Sequence, residues 1–178
     1  KINKEERRKM YRTIPRSSIM GFLIGVLPGA GATIASFLAY GMERNLVKDE
    51  EKEKFGKGSV NGLSAPETAN NAACSGSFVP MLTLGIPGSG TTAVMLGALL
   101  GFGIQPGPRL YMTNPEIFWS VIMSMYVGMV ILLILNLPLI PYIARILAVP
   151  KNYLIPLILF FSMTGIYVMS FNNFDIYL

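Results

Sequence analysis

Ser64–Thr92 reads SAPETANNAACSGSFVPMLTLGIPGSGTT. The stretch is too polar for an ordinary membrane span and too poor in charge for an ordinary soluble surface. From Gly58 to Pro108 the only charged side chain is Glu67. Around it stand small residues, hydroxyls, the adjacent amides Asn70 and Asn71, and the turn Pro87-Gly88-Ser89-Gly90. Apolar flanks on both sides imply that this polar material is held inside a membrane. Polar groups at that depth are costly unless they face a cavity or a partner, so they mark a pathway.

The rest of the chain agrees with a membrane setting. Of 178 residues, 52% are hydrophobic and 14% charged, against about a quarter charged in soluble domains. The charges are clustered: 17–42 and 152–174 contain none. There is no His, which excludes histidine catalysis and histidine metal sites, and a single cysteine, Cys74, excludes an internal disulfide and a multi-cysteine zinc site. No metal site is expected. The basic excess falls largely in 1–16, which carries seven Lys or Arg. It reads as a cytoplasmic flank rather than a nucleic-acid patch. With no initiating Met and no signal peptide, the chain reads as a fragment.

Taken in order, 1–16 is expected as a loop or amphipathic surface segment, with Pro15 ending any helix and Ser17 and Ser18 capping the next. The apolar segment 17–42 is broken in the middle by Pro28-Gly29-Ala30-Gly31, which removes a backbone donor and permits unusual dihedrals. Its halves form either one broken span or a hairpin dipping into the bilayer. Basic flanks on both sides favour the hairpin. The mixed-charge run 43–57 reads as a solvated loop or helix. In 58–77, Ser64-Ala65-Pro66-Glu67 fits a capping box opening a polar helix.

The segment 78–104 repeats the broken design around Pro87-Gly88-Ser89-Gly90, the same P-G-small-G word found 59 residues earlier. Gly97-x-x-x-Gly101 offers a close-packing face. After a loop from Gln105 to Asn114, Asn114-Pro115-Glu116 starts a span over 115–141, kinked or ended by Pro138 and Pro141, with Trp119 as an interface anchor. A last span covers 153–171. The expected fold is therefore an all-α integral membrane protein with two Pro-Gly-broken, re-entrant helical hairpins. If Arg145 and Lys151 are inside, the second hairpin enters from outside, inverted relative to the first.

Two matching interruptions in one chain point to a transporter site. A helix starting after each tip aims free N–H groups and a partial positive charge at whatever sits there. The expected carboxylate-binding set is Gly29, Gly31, Thr33, Gly88, Ser89, Gly90, Thr91 and Thr92. Glu67, Asn70, Asn71 and Ser75 are expected to bind a coupling ion, Na⁺ among the candidates, or to shape the site. A plain kink, a cap and interhelical hydrogen bonds are the structural alternatives for these residues. Cys74 reads as packing, since nothing nearby would lower its pKa. No enzyme is expected: the chain lacks a phosphate loop, a nucleophile elbow and a dinucleotide fingerprint, and Ala65-Pro66-Glu67 matches a kinase triplet only by chance. An ion channel or a structural membrane subunit is the competing reading.

The words GVLPGAGAT (Gly25–Thr33), FGKG (Phe55–Gly58), APETANNAA (Ala65–Ala73), LGIPG (Leu84–Gly88) and QPGP (Gln105–Pro108) together resemble the large membrane subunit of tripartite tricarboxylate transporters, the TctA-type permease. The likeness runs from about Gly21 to Pro108 and is to the later half of that subunit. It implies a multi-pass permease of the bacterial inner membrane, working with a small membrane subunit and a periplasmic solute-binding protein. It further implies import of carboxylates driven by an ion gradient, without ATP. No cofactor is implied beyond that ion.

Overall fold

The computed structural model describes residues 3–145 and 150–170, which are helical with no strand among them. Residues 1–2 of the basic flank and residue 171 of the last expected span lie outside the described residues. The chain divides into two compact units, Lys1–Met125 and Tyr126–Leu178.

The first unit is built on α1 (Lys4–Val26), α2 (Gly31–Leu46) and α4 (Val60–Gly76), with the short α3 (Asp49–Lys52) between the last two. Each of the three long helices buries a stripe of small residues spaced by four: Thr13, Ser17, Gly21 and Gly25 on α1; Ala35, Ala39 and Glu43 on α2; Asn61, Ala65, Ala69 and Ala73 on α4. A four-residue spacing keeps one helix face in register, and small side chains let backbones approach. The approach is close enough that a Cβ on Gly21 or Gly25 would fall within the carbonyl oxygens of Ala69 and Ala73 respectively. That pairing makes α1 and α4 parallel. The Ser36 hydroxyl donates to the Pro66 carbonyl (3.2 Å), and Asn61 donates to Glu43 (2.9 Å), so α2 runs antiparallel to both. The first broken segment is thus a hairpin. Leu27 N–H closes on Ile24 O and Ala30 N–H on Leu27 O, while Gly29 (φ 80°) and Gly31 (φ 68°) take the left-handed conformation that reverses the chain.

Several local expectations are corrected. α1 continues through Pro15; Pro15 and Tyr11 both lie on the exposed side of the helix, where water can reach the backbone. Ser17 is no cap; it is buried in the middle of α1. The capping box at Ser64–Glu67 is not used either: α4 starts five residues earlier on Ser59, whose Oγ accepts from Gly62 N–H at 3.1 Å, and Phe55 packs over that start in an edge-on contact with Tyr40. Most consequentially, Glu43 is not solvated. It is fully buried and accepts from Thr13 Oγ1 (2.8 Å), Asn61 Nδ2 (2.9 Å) and Arg16 (2.8 and 3.0 Å), tying all three helices at the end of the bundle away from the tip. Lys9 donates to Glu51 at 2.9 Å at the same end; this bond holds the Lys9 ammonium above its ordinary range and the Glu51 carboxyl below its own.

Replacing Glu43 with Ala leaves the buried Thr13 and Asn61 donors without an acceptor, while half-exposed Arg16 regains water. The expected cost is about 2 kcal/mol. A thermal unfolding midpoint in detergent indistinguishable from the parent's would refute this role for Glu43.

The second broken segment comprises α5 (Phe78–Leu84) and α6 (Gly90–Gly101). It is constructed differently from the first. Gly85 (φ 70°) ends α5, Ile86 N–H bonds back to Pro80 O, and the extended chain retraces α5 until Gly88 lies against Ser77. From there α6 sets out beside the start of α5. Its Leu99 joins Met81, Leu82, Leu110 and Val121 in a second buried cluster. Gly107 N–H bonds to Leu82 O, which returns the following loop to the end of α5. That loop holds a short helix, α7 (Leu110–Thr113), where irregular chain was expected; Leu110 is its buried anchor. Gly97 and Gly101 face open space rather than a packed neighbour among the described residues.

α8 (Pro115–Ala144) starts where expected, at Asn114-Pro115, and α9 is Lys151–Ser170. Pro138 and Pro141 do not end α8. Competing partners for the backbone are scarce in so apolar a segment, and the helix continues to Ala144. α8 is the helix long and apolar enough to cross a membrane among the described residues, with mean hydropathy 2.4. In the second unit the side chains of α8 and α9 are almost all apolar and exposed, from Tyr126 to Tyr167. This is the pattern of helices solvated by lipid or by other helices.

The outer surface of the three-helix bundle is divided in the same way. On α1 the exposed residues up to Arg12 are charged or polar apart from Tyr11, and from Ile14 onward they are Ile14, Pro15, Ile19, Phe22, Leu23 and Leu27, with Arg16 turned onto Glu43. On α2 the exposed residues are Thr33, Ile34, Phe37 and Leu38, then Arg44, Asn45 and Leu46. Both borders fall at the level of Glu43.

Candidate functional site

The two Pro-Gly tips face one cavity. Gly88 is buried so tightly that a Cβ there would lie 2.9 Å from Ser77 Cβ and 3.4 Å from the Gly25 carbonyl oxygen. The contact joins the second tip to the end of α1 and to the α4–α5 junction. Beside it is a cavity of about 620 Å³ lined by Gly29, Gly31, Ala32 and Thr33 from the first tip, and by Pro87, Gly88, Ser89, Gly90, Thr91, Thr92 and Ala93 from the second. Cys74, Ser77 and Phe78 close the wall. All eight residues expected at the tips therefore line one cavity, although Pro28 and Pro87 stand far apart in the chain.

Two helices begin at this cavity. α2 starts at Gly31 after Ala30, which offers no side-chain cap, so the first N–H groups of α2 are left to whatever occupies the cavity. α6 starts after Ser89. Ser89 Oγ accepts from Thr92 N–H (3.2 Å) and Thr92 Oγ1 accepts from Ser89 N–H (2.9 Å), a reciprocal cap that fixes the second tip and leaves the hydroxyl of exposed Thr91 unengaged. Each helix start carries roughly half a positive charge. No lining residue is charged. The arrangement suits an anion bound by dipoles, N–H groups and hydroxyls.

The second expected set lies elsewhere. Glu67, Asn70 and Asn71 are exposed along α4 and Ser75 is half-buried; none of the four lines the cavity. Asn71 Nδ2 donates to the Glu67 carbonyl (2.9 Å) and Ser75 Oγ to the Asn71 carbonyl (3.4 Å), bonds internal to the helix. Cys74, read from sequence as packing, is an exposed thiol on the cavity wall whose Sγ lies 3.8 Å from Asn70 Oδ1. Glu43 also went unnoticed. The signal was present, since Glu43 continues the Ala35–Ala39 spacing.

A helical membrane protein in which two interrupted segments bring their tips to one cavity free of charged side chains has the construction of a transporter. The chain belongs to the tripartite tricarboxylate transporter TctA family, whose model matches residues 1–178, well beyond the Gly21–Pro108 stretch that carries the recognisable words. It is 43% identical over 176 residues to the "uncharacterized 52.8 kDa protein in TAR-I ttuC' 3'region" of Agrobacterium vitis, covering 99% of this chain and 35% of that protein. It is 45% identical over 157 residues to the "uncharacterized protein in TAR-II ttuC' 3'region" of the same organism, covering 88% of this chain and 64% of that protein. The chain thus spans about a third of one relative and under two thirds of the other. No solved structure matches.

Proposed function

We propose that this chain is part of the permease subunit of a tripartite secondary transporter that imports tricarboxylates or related carboxylates. Its partners would be a small membrane subunit and a periplasmic solute-binding protein, and its setting the bacterial inner membrane. The observation that carries the reading is the convergence of the α2 and α6 starts, with Thr33, Ser89 and Thr91, on one cavity lined by no charged side chain. Its size falls in the roughly 300–1,000 Å³ range of small-molecule sites. Substrate carboxylates take the place of the missing anions at both helix starts. Na⁺ or H⁺ moves with them, and Glu67 with the carbonyls of Asn70 and Asn71 are the acceptors offered to that cation.

The depth of the tips supports a re-entrant placement. Taking the Ile14 and Arg44 borders as the edge of the hydrocarbon, α1 descends from Ile14 to Val26, or about 20 Å at ~1.5 Å per residue. The hydrocarbon is about 30 Å thick, so the first tip stops inside it. The second tip, reached by way of α5 and returned to Ser77, enters from the opposite side. The basic end of the bundle is then cytoplasmic.

The test uses Cys74 in place, in membrane vesicles bearing the whole permease with any other cysteines replaced. Maleimide labelling of Cys74 is measured with and without Na⁺ across di- and tricarboxylates. Slower labelling in the presence of one carboxylate is the expected result. Labelling indifferent to every carboxylate would remove the cavity from the substrate route.

A further inference from the structure

One face of α1 carries two kinds of surface in a single stripe. Arg8, Tyr11, Arg12, Pro15, Ile19 and Phe22 are all exposed. Their spacings of three and four put them on one side of the helix. Above the Ile14 border the stripe consists of two guanidinium groups and a tyrosine. Below it every exposed side chain of α1 is apolar except Arg16, which is turned onto Glu43. From Ile14 to the end of α1 the apolar part is about 20 Å long, at ~1.5 Å per residue. That covers the depth of one leaflet, half of a hydrocarbon core about 30 Å thick.

The cations at this end differ in what they bind. Lys9 is held by Glu51 at 2.9 Å and by Glu5 at 3.4 Å, and Arg16 by Glu43 at 2.8 Å. Arg8 and Arg12 make no ion pair among the described residues. Together with Glu5 and Lys9 they line a cleft of about 280 Å³. The one carboxylate in that cleft, Glu5, is taken by Lys9. Two uncompensated guanidinium groups therefore stand one helical turn apart. Guanidinium groups bind phosphate oxygens two at a time, and such a pair is complementary to a phosphate in charge and in donor geometry.

We propose that Arg8 and Arg12 hold the phosphate of an anionic phospholipid from the leaflet on the basic side, with an acyl chain lying along Pro15, Ile19 and Phe22. Tyr11 stands at the headgroup level, where amphipathic rings favour the interface. The site rests on the bilayer border at Ile14 argued above. Its occupant follows from the continuity of the stripe. A soluble phosphate uses the two guanidinium groups and leaves the apolar part below them uncovered, whereas a lipid uses both. A zwitterionic lipid brings its own cation to a cleft that already has an excess of positive charge. Basic residues at the cytoplasmic end of an apolar segment attract anionic headgroups for the same reason.

The experiment uses the whole permease in nanodiscs of equal parts phosphatidylglycerol and phosphatidylcholine. One lipid or the other carries a photoreactive diazirine midway along an acyl chain, and crosslinked peptides are mapped by mass spectrometry. Phosphatidylglycerol should label 15–23 roughly tenfold more than phosphatidylcholine does. Arg8→Gln/Arg12→Gln should abolish that preference. Lys52→Gln/Lys57→Gln, which removes the same charge elsewhere on the basic side, should keep it. Arg8 and Arg12 are exposed and outside every ion pair, so their replacement leaves the bundle folded. Millimolar inorganic phosphate should leave the labelling unchanged; displacement of the lipid would assign the pair to a soluble anion and overturn the proposal. Equal labelling by the two lipids, or a preference that the double variant retains, would overturn the site while keeping α1 at its depth. No labelling of 15–23 by either lipid would overturn both, by showing protein on this face. None of these results touches the tip cavity, which carboxylate protection of Cys74 tests separately.

Discussion

Gly25→Val should cost the first unit about 3 kcal/mol or more, the upper end of overpacking penalties. The reason is where the new atoms would go. A Cβ at position 25 meets the backbone of Ala73, its carbonyl oxygen, Cα and carbonyl carbon, and not a side chain that could turn away. Relief requires α1 and α4 to separate, which loosens the Ala65–Ala69–Ala73 contacts and the Glu43 tie at the far end together. Alanine at 25 meets the same obstruction with its first atom, so its gain of about 1 kcal/mol in helix propensity does not rescue it. For a chain of this size, ~3 kcal/mol corresponds to a fall of roughly 6–12 °C in unfolding midpoint. Gly97→Ala is the matched control, since its Cβ would meet nothing within 4 Å. The measurement is thermal unfolding in detergent, with equal midpoints for the Gly25 and Gly97 variants as the contrary result.

The second large effect is on transport rather than stability. Gly88→Val puts a branched side chain 2.9 Å from Ser77 Cβ, where the second tip packs on the α4–α5 junction and the end of α1. The second tip is attached through extended chain, 86–89, and can retreat without unravelling α5 or α6. The protein should therefore insert normally while the α6 start moves out of line with the α2 start. Loss of more than about 1.4 kcal/mol of joint binding to a carboxylate is a tenfold loss of affinity, and uptake should fall by at least that factor. Gly90→Ala, whose Cβ points into open space, should be far milder. Uptake of radiolabelled carboxylate, normalised to the amount of protein in the membrane, decides it. Wild-type uptake by the Gly88 variant would mean that the seating of the second tip does not matter to transport.

The tips were legible in the sequence because Gly and Pro act through the backbone, and backbone constraints are local. Pro28-Gly29 and Pro87-Gly88 read the same whatever surrounds them, and all eight residues named around them line the cavity. The Asn114-Pro115 start of α8 was legible for the same reason. Prolines inside helices misled, because a ring ends a helix only if its orphaned carbonyl has nowhere to go. Pro15 lies on the exposed side of α1, where water can reach the backbone, and Pro138 and Pro141 lie in chain with few alternative partners. Ser64 to Glu67 satisfied the spacing of a cap, yet Ser59 with Phe55 above it provided a better start. Glu43 was missed because charge density was weighed over spacing. Which residues of 43–57 are buried depends on helices 30 residues away, and a composition window does not contain them. The division of α4 into a small-residue face and a polar face was likewise present in the letters, but only the packed partners reveal which face is left uncovered.

The glycine and alanine stripes have a mechanical consequence. Helices touching through long side chains can slide, since rotamers absorb the displacement; helices touching through backbone atoms cannot, because no soft joint lies between them. Gly21 on Ala69 and Gly25 on Ala73 therefore make α1 and α4 one beam, with α2 lashed to it at Glu43. A beam carries displacement from end to end without loss. Any shift imposed at its charged end arrives at Gly29 and Gly31 with the same amplitude, about 20 Å away at ~1.5 Å per residue, so this part of the protein moves the first tip by travelling as a whole, not by flexing.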